Sequence, residues 1–228
     1  GESAAFLSMN ANKRSLALDV KAAEGLEVAL ELIEGADIFV QNMRPGLVAR
    51  VGLGFDELAE RNPKLIYCSI GAFGREGPLR NQPGYDPLMQ AFSGLIHLTG
   101  EASRPPSRVG ISLVDIGTGM WSTIGIVSAL YRRQVTGEGA IVDTSLFETS
   151  LGWITLAAAE LAVVGEAPKR NGLRGPIVAP NRGFHAADGI QVIVIGTDGG
   201  KRGRWEGKGG RYDPFLLGAA STGGTADK

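Results

Sequence analysis

The sequence is poor in the residues that usually announce a chemistry. It has one cysteine, Cys68, which sits in an apolar run and has no internal partner, so a disulfide framework is excluded and a reduced, buried thiol is expected. That fits a cytoplasmic setting. It has two histidines, His97 and His185, far apart and without cysteine neighbours, so no metal-ligand set is present and both read as structural or surface residues. An excess of charge of either sign is missing too. A formal net charge of -1 gives no electrostatic support to a nucleic-acid or anionic-membrane partner. The longest apolar run, residues 151–164, is broken by Glu160 and is too short to span a bilayer, and no secretory leader is evident. Small-molecule chemistry in a soluble protein remains as the expectation.

What is present alternates between strand-like and helix-like patterns. Residues 15–20 alternate leucine with small or polar residues and predict a first strand. Leu26, Leu30 and Ile33 mark one face of a helix over residues 22–34, stopped at Gly35. Residues 38–40 predict a second strand that ends in the turn-rich Gln41-Asn42-Met43-Arg44-Pro45-Gly46. A short helix over 55–61 closes at Asn62-Pro63, and residues 64–70 form a third strand apolar enough for burial on both faces. The fold class is therefore α/β, a parallel sheet with helices on both faces. Ligands in such sheets bind beyond the carboxyl ends of the strands, here near Asn42 and Gly71.

Further on, a glycine- and proline-rich connection (71–83) leads to Gly84-Tyr85-Asp86-Pro87, where Asp86 as cap and Pro87 at the first helical position open a helix through residue 98. Residues 109–114 are extended and apolar. After them Met120, Ile124, Val127 and Tyr131 recur at helical spacing and predict a helix. Asp115 stands at the start of that helix. There the free amides and the helix dipole favour its ionised form, so it reads either as a capping residue or as a nucleophilic carboxylate. Gly117 and Gly119 cost the helix about 1 kcal/mol each relative to alanine, which is understandable if a ligand approaches the backbone there. A turn at 136–139, a strand over 140–143 and a Ser145/Glu148 capping box for a long helix to 164 follow.

The large domain is expected to span 1–164, followed by a linker over 165–182. A hairpin within 183–198 turns at Asp188-Gly189 and opens a second, α+β unit. Residues 199–228, with Lys201, Arg202, Arg204, Lys208 and Arg211 among many glycines, lack apolar periodicity and read as a disordered or foreign tail.

The motifs NKRSLALDV, VQNMRPG, VGLGFDEL, NPKLIYCSI, PGYDPLMQAFSGL, LVDIGTGM and TGEGAIVDTSL follow one another in an order that resembles the class III coenzyme A transferases of the CaiB/BaiF type. That family includes formyl-CoA and carnitine CoA-transferases and has the α-methylacyl-CoA racemases as relatives. The resemblance covers residues 10–195 and implies a Rossmann-like large domain with coenzyme A as a substrate and no permanently bound cofactor. It places the nucleophile on Asp115, which would pass through an aspartyl anhydride and an aspartyl-CoA thioester. It also places coenzyme contacts on Lys13, Arg14, Asn42, Met43, Arg44 and Arg50, and the substrate pocket at Gly84, Tyr85 and Asp86. Acyl-CoA and carboxylic acids are the implied partners, within an interlocked homodimer. The family's enzymes carry a strand-helix unit ahead of the residues matched here and a complete small domain. The expectation is therefore a fragment, inactive alone, of either a transferase, a racemase or a non-catalytic CoA-binding module.

Overall fold

The computed structural model describes residues 3–172 and 174, together with three later strands. The chain divides into two units, Gly1–Met89 with Leu113–Ser150, and Gln90–Ser112 with Leu151–Lys228.

The first unit is built on a parallel sheet of β1 (Ile38–Gln41), β2 (Ile66–Gly71) and β3 (Ala140–Ser145), in that spatial order. Val40 pairs with Cys68, and Cys68 with Val142. β2 lies in the middle, and its Ile66, Tyr67 and Cys68 are buried, as a strand apolar on both faces requires. Ahead of the sheet come α1 (Ala4–Met9), capped by the Ser3 hydroxyl, and α2 (Ala23–Glu34). The connection from β1 to β2 carries α3 (Leu47–Arg50) and α4 (Phe55–Arg61). Ile33, Val48, Leu53, Leu58, Leu65 and Tyr67 form one apolar core, where Phe39 and Phe55 pack their rings on Tyr67 at centroid separations of 5.3 and 5.7 Å. Asn62, just after α4, donates to the carbonyls of Ile33 and Ala36 at 3.1 and 2.9 Å and so ties down the end of α2.

The strand expected over residues 15–20 is not formed. A strand exists by pairing its backbone groups, and no described residue offers this segment a ladder. Leu16 is left exposed, while Val20 packs against the core. The helix expected to run from 86 to 98 is two pieces, α5 (Asp86–Phe92) and α6 (Leu95–Leu98), because Gly94 takes a left-handed φ of 89°.

The expected helix after residue 114 is α7 (Leu113–Thr136), which also takes in Leu113 and Val114, read as extended from the sequence. Met120, Ile124, Val127 and Tyr131 are exposed, and the buried residues are Val114, Gly117, Thr118, Ser122 and Ala129. The face turned to the protein is the small one. A Cβ on Gly125 would lie 2.7 Å from the Val142 Cγ1 of β3, an approach that a larger residue forbids. The polar groups on this face are paired. Ser122 donates to the Thr118 carbonyl (2.8 Å) and receives the Thr144 hydroxyl (2.7 Å), while Thr118 donates to the Val114 carbonyl and contacts the Thr149 hydroxyl at 2.9 Å. Among the described residues α7 meets the length and apolarity of a membrane-crossing helix, which the sequence reading had not flagged. Its hydrogen-bonded face on β3 is that of a sheet-covering helix.

The Ser145/Glu148 pairing forms as expected, with the Glu148 amide donating to the Ser145 hydroxyl and that hydroxyl to the Glu148 carboxylate. The helix it opens is interrupted at Ile154, giving α8 (Leu146–Trp153) and α9 (Thr155–Val164).

In the second unit Arg170 donates to the carbonyls of His97, Glu101 and Arg104, and the His97 ring lies 3.2 Å from the Pro168 carbonyl, a structural setting for that histidine. β4 (Asn181–His185) and β5 (Gln191–Ile195) pair antiparallel as the expected hairpin. Its Asp188-Gly189 turn lies outside the described residues. β6 (Ala219–Ala220), within the segment expected to carry no structure, pairs with β5. The rest of 199–228 also lies outside the described residues.

Candidate functional site

The carboxyl ends of β1 and β2 open into a cavity of about 510 Å³ bounded by Asn42, Met43, Arg44 and Pro45 from the loop after β1, Ile70 to Ala72 from the end of β2, Gln82 to Tyr85 ahead of α5, Leu146, and Asp115, Thr118 and Gly119 of α7. Five of the expected site residues, Asn42, Met43, Arg44, Gly84 and Tyr85, thus meet Asp115 in one space. The loop after β1 is held in place by Gln41, whose amide donates to Ser69 at 2.9 Å and whose carbonyl oxygen accepts the Met43 amide at 2.9 Å. Gly84 is required by packing, since a side chain there would strike the Met89 methyl and the Ala72 Cβ.

Asp86 is placed differently from the expectation. It is 4% exposed and stands behind the cavity, where its Oδ2 accepts the amides of Val114 (2.7 Å) and Asp115 (3.1 Å). The carboxylate that caps α7 therefore comes from α5. Asp115 is the third residue of α7 and not its cap, and its own carboxylate accepts no hydrogen bond among the described residues.

This arrangement reverses the expected electrostatics. The Val114 and Asp115 amides at the start of α7 go to Asp86, and the pKa of Asp115 is raised from the ordinary aspartate value, first by desolvation at the cavity wall and second by the Asp86 carboxylate. Arg44, on the facing loop, is the cation of this cavity.

Lys13, Arg14 and Arg50 are not brought to the cavity wall. The Lys13 ammonium caps the end of α1 through the Met9 carbonyl at 2.6 Å, and Arg50 donates to Gly46 in its own turn. All three are exposed.

A neighbouring cavity of about 280 Å³ shares Met43, Arg44, Pro45, Ile70 and Gly71 with the first and adds Arg75, Arg80 and Asn81. The sequence reading passed over these residues, and Gln82 with them. The available signal was their position, directly after the carboxyl end of a central strand. The Asp143 carboxylate beside Arg75 has its pKa raised by burial, an effect that the Arg75 amide and charge oppose. Burial also pushes the Cys68 thiol up, away from nucleophilic use. No group of three His, Cys, Asp or Glu side chains among the described residues is placed to hold a metal ion. The cavity brings together an aspartate carboxylate and an arginine guanidinium.

Comparison with known proteins agrees with this geometry. The model of CoA-transferase family III matches residues 1–204. An acyl-CoA transferase of Fusarium pseudograminearum is 44% identical over 192 residues, 84% of this chain and 42% of its own. An acetyl-CoA:oxalate CoA-transferase of Acetobacter aceti is 41% identical over 194 residues, covering 85% and 50%. The crystal structure of a CaiB/BaiF family protein from Brucella suis superposes with a TM-score of 0.74 at 38% identity, over 80% of this chain and 48% of that one. The chain spans about half the length of the curated relatives it matches. With a parallel α/β sheet, an aspartate at the start of α7 and a cavity at the strand ends, the chain belongs to CoA-transferase family III.

Proposed function

We propose that the full-length protein moves coenzyme A from an acyl-CoA to a carboxylic acid, with Asp115 as the nucleophile. One observation carries the assignment. Two carboxylates meet at the start of α7, and the buried one, Asp86, takes the helix amides, which leaves the Asp115 carboxylate unbonded in the cavity.

The Asp115 carboxylate attacks the thioester carbonyl, forming a mixed anhydride as the C–S bond breaks and CoA leaves as thiolate. The thiolate attacks the aspartyl carbonyl and releases the first acid, leaving an aspartyl-CoA thioester. The acceptor carboxylate attacks that thioester to give a second anhydride, and the thiolate then takes its acyl group and restores Asp115. Each step exchanges one acyl bond for another, so water must be excluded and no external base is needed.

Arg44 suits the thioester's developing oxyanion or the acceptor carboxylate, and the Asn42–Arg44 loop suits the coenzyme's arm. Lys13, Arg14 and Arg50, exposed on the same unit, are assigned to the coenzyme's phosphates in the complete protein, which we take to be a homodimer. The oxalate acceptor named for the Acetobacter relative makes a small dicarboxylic acid the acceptor class favoured here.

Hydroxylamine trapping of the full-length protein with its acyl-CoA donor tests the assignment. The adduct is expected on the peptide carrying Asp115, and an adduct elsewhere, or coenzyme binding with no adduct, would refute it.

A racemase is the second reading, and Tyr85 argues against it. The resemblance places a histidine base at this position in racemases, and a phenol with an ordinary pKa near 10 is a poor base at neutral pH. Asp86, buried on the α7 amides, is no substitute. Transfer without wash-in of solvent deuterium at the alpha carbon of a 2-methylacyl-CoA is the expected outcome.

A further inference from the structure

Gly119 lies four residues, about 6 Å along the axis, beyond Asp115 on the same face of α7, and it lines the same cavity. Among the described residues nothing requires a glycine there. Its φ is not in the left-handed region, and a Cβ built on it meets no atom within 4 Å. On the same helix Gly125 is different, because its Cβ would be forced onto Val142. A glycine in the interior of a helix is a cost that Gly125 recovers in packing and Gly119 does not.

The surface at Gly119 is also apolar in effect. Its carbonyl accepts the Thr123 hydroxyl at 2.8 Å, and the neighbouring Thr118 hydroxyl is engaged by the Val114 carbonyl and Thr149. The helix surface at Thr118 and Gly119 therefore offers a ligand no free hydroxyl, while Asn42, Arg44 and Gln82 line other walls of the cavity. The pantetheine arm of coenzyme A carries two amides that would be left unpaired, whereas a methylene chain loses nothing.

We infer that Gly119 is a specificity-determining residue, and that the space over it holds the carbon chain of the transferred acid, beyond the carboxyl group that reacts at Asp115. The inference rests on the reading of Asp115 as the acyl-accepting nucleophile. A glycine at this position admits acids with several methylenes, and a side chain there restricts transfer to the shortest.

The test uses full-length wild type, Gly119→Ala and Gly119→Val with acetyl-, succinyl- and glutaryl-CoA, which share one coenzyme and increase in chain length, the last two also sharing a terminal carboxylate and differing by one methylene. The rate of hydroxylamine-trapped acyl-enzyme at Asp115 is read for each and normalised to wild type. The expected result is a loss that grows with chain length, at least about tenfold greater for glutaryl- than for acetyl-CoA in Gly119→Val, the scale on which a pocket senses single methylenes. Neither variant should have a lower Tm than wild type. An equal loss with all three donors would place the coenzyme's arm over Gly119 and overturn the inference. A lowered Tm in both variants would overturn its premise of open space. Failure of wild type to trap any donor at Asp115 would overturn the nucleophile assignment itself, a result distinct from the other two.

Discussion

Oδ2 of Asp86 accepts the backbone amide of Asp115 at 3.1 Å, so one carboxylate serves as the cap of the helix that carries the other. The Asp86 charge raises the pKa of Asp115, and removing that charge must lower it. In full-length Asp86→Asn the acidic limb of the kcat/KM profile is therefore expected at lower pH than in wild type. The amide oxygen of asparagine can still accept from Val114 and Asp115. Asp86→Ala cannot, and leaving buried amides unpaired costs roughly 1–3 kcal/mol. A fall in Tm for the alanine variant that clearly exceeds that for asparagine, together with the shifted limb, separates capping from charge. An unmoved limb in Asp86→Asn would show that Asp86 does not set the ionisation of the nucleophile.

Gly125 and Val142 give a second prediction, for the seam between α7 and β3. Gly125→Val drives side-chain atoms into Val142 and is expected to cost about 1–3 kcal/mol, the usual penalty for overpacking, with little relief from helix propensity. Trimming the partner by Val142→Ala in the same chain should recover part of the loss. A double-mutant cycle by urea denaturation measures it, and simple additivity would mean that the two sites do not share this contact.

That seam also explains what the sequence displayed and what it hid. β2 was legible because KLIYCSI is apolar on both faces, and α4 because Asn62-Pro63 closes it. The buried face of α7 was not legible, because apolar periodicity normally marks the core, whereas here past Val114 the face on the protein is made of small residues, Gly117, Thr118, Ser122, Gly125 and Ala129. The larger residues are left outside. Asp115 and the Asn42–Arg44 loop could be placed from strand ends and helix starts, which are local signals. The target of Asp86 could not, since its partners Val114 and Asp115 are joined to it by tertiary contact alone. Arg75, Arg80 and Gln82 sit in a turn-rich connection without periodicity, so only the completed sheet shows that they border the cavities. Residues 15–20 had the strand pattern but no neighbour with which to pair.

Arg133 and Asp37 lie 2.7 Å apart, but the two ends of this ion pair should not be equally important. The Arg133 side chain is 15% exposed and also donates to the Lys64 carbonyl at 2.9 Å, joining the end of α7 to the start of β2. Asp37 is 76% exposed, and a charge so placed contributes at most about 1 kcal/mol. Arg133→Ala is expected to destabilise by roughly 1 kcal/mol through the lost carbonyl contacts, and Asp37→Ala by well under half of that. Raising the salt concentration should erase most of the Asp37 effect and little of the Arg133 effect. Equal losses in denaturation midpoint would mean that the ion pair itself, and not the carbonyl contact, carries the stability.

Asp115 is the residue for which activity and stability should pull in opposite directions. Its pKa is raised in the folded protein, so the folded state binds the proton more tightly than the unfolded chain does. The sign follows from that. Below the unfolded pKa of about 3.9 both states hold the proton and the group is neutral in its effect, whereas through the interval up to the folded pKa the folded state loses stability progressively. Above the folded pKa the full cost is present. Asp115→Asn removes the titration, so its advantage over wild type should be small near pH 4, grow as the pH rises, and level off once the raised folded pKa is passed. The residue is partly open to solvent, which keeps the gain modest. Denaturation midpoints of the two proteins measured from pH 4 to pH 8 test this, and the same variant should yield no hydroxylamine adduct. If the difference in stability shrank as the pH rose, the pKa of Asp115 would be depressed by its helix start, and the assignment of those amides to Asp86 would have to be abandoned.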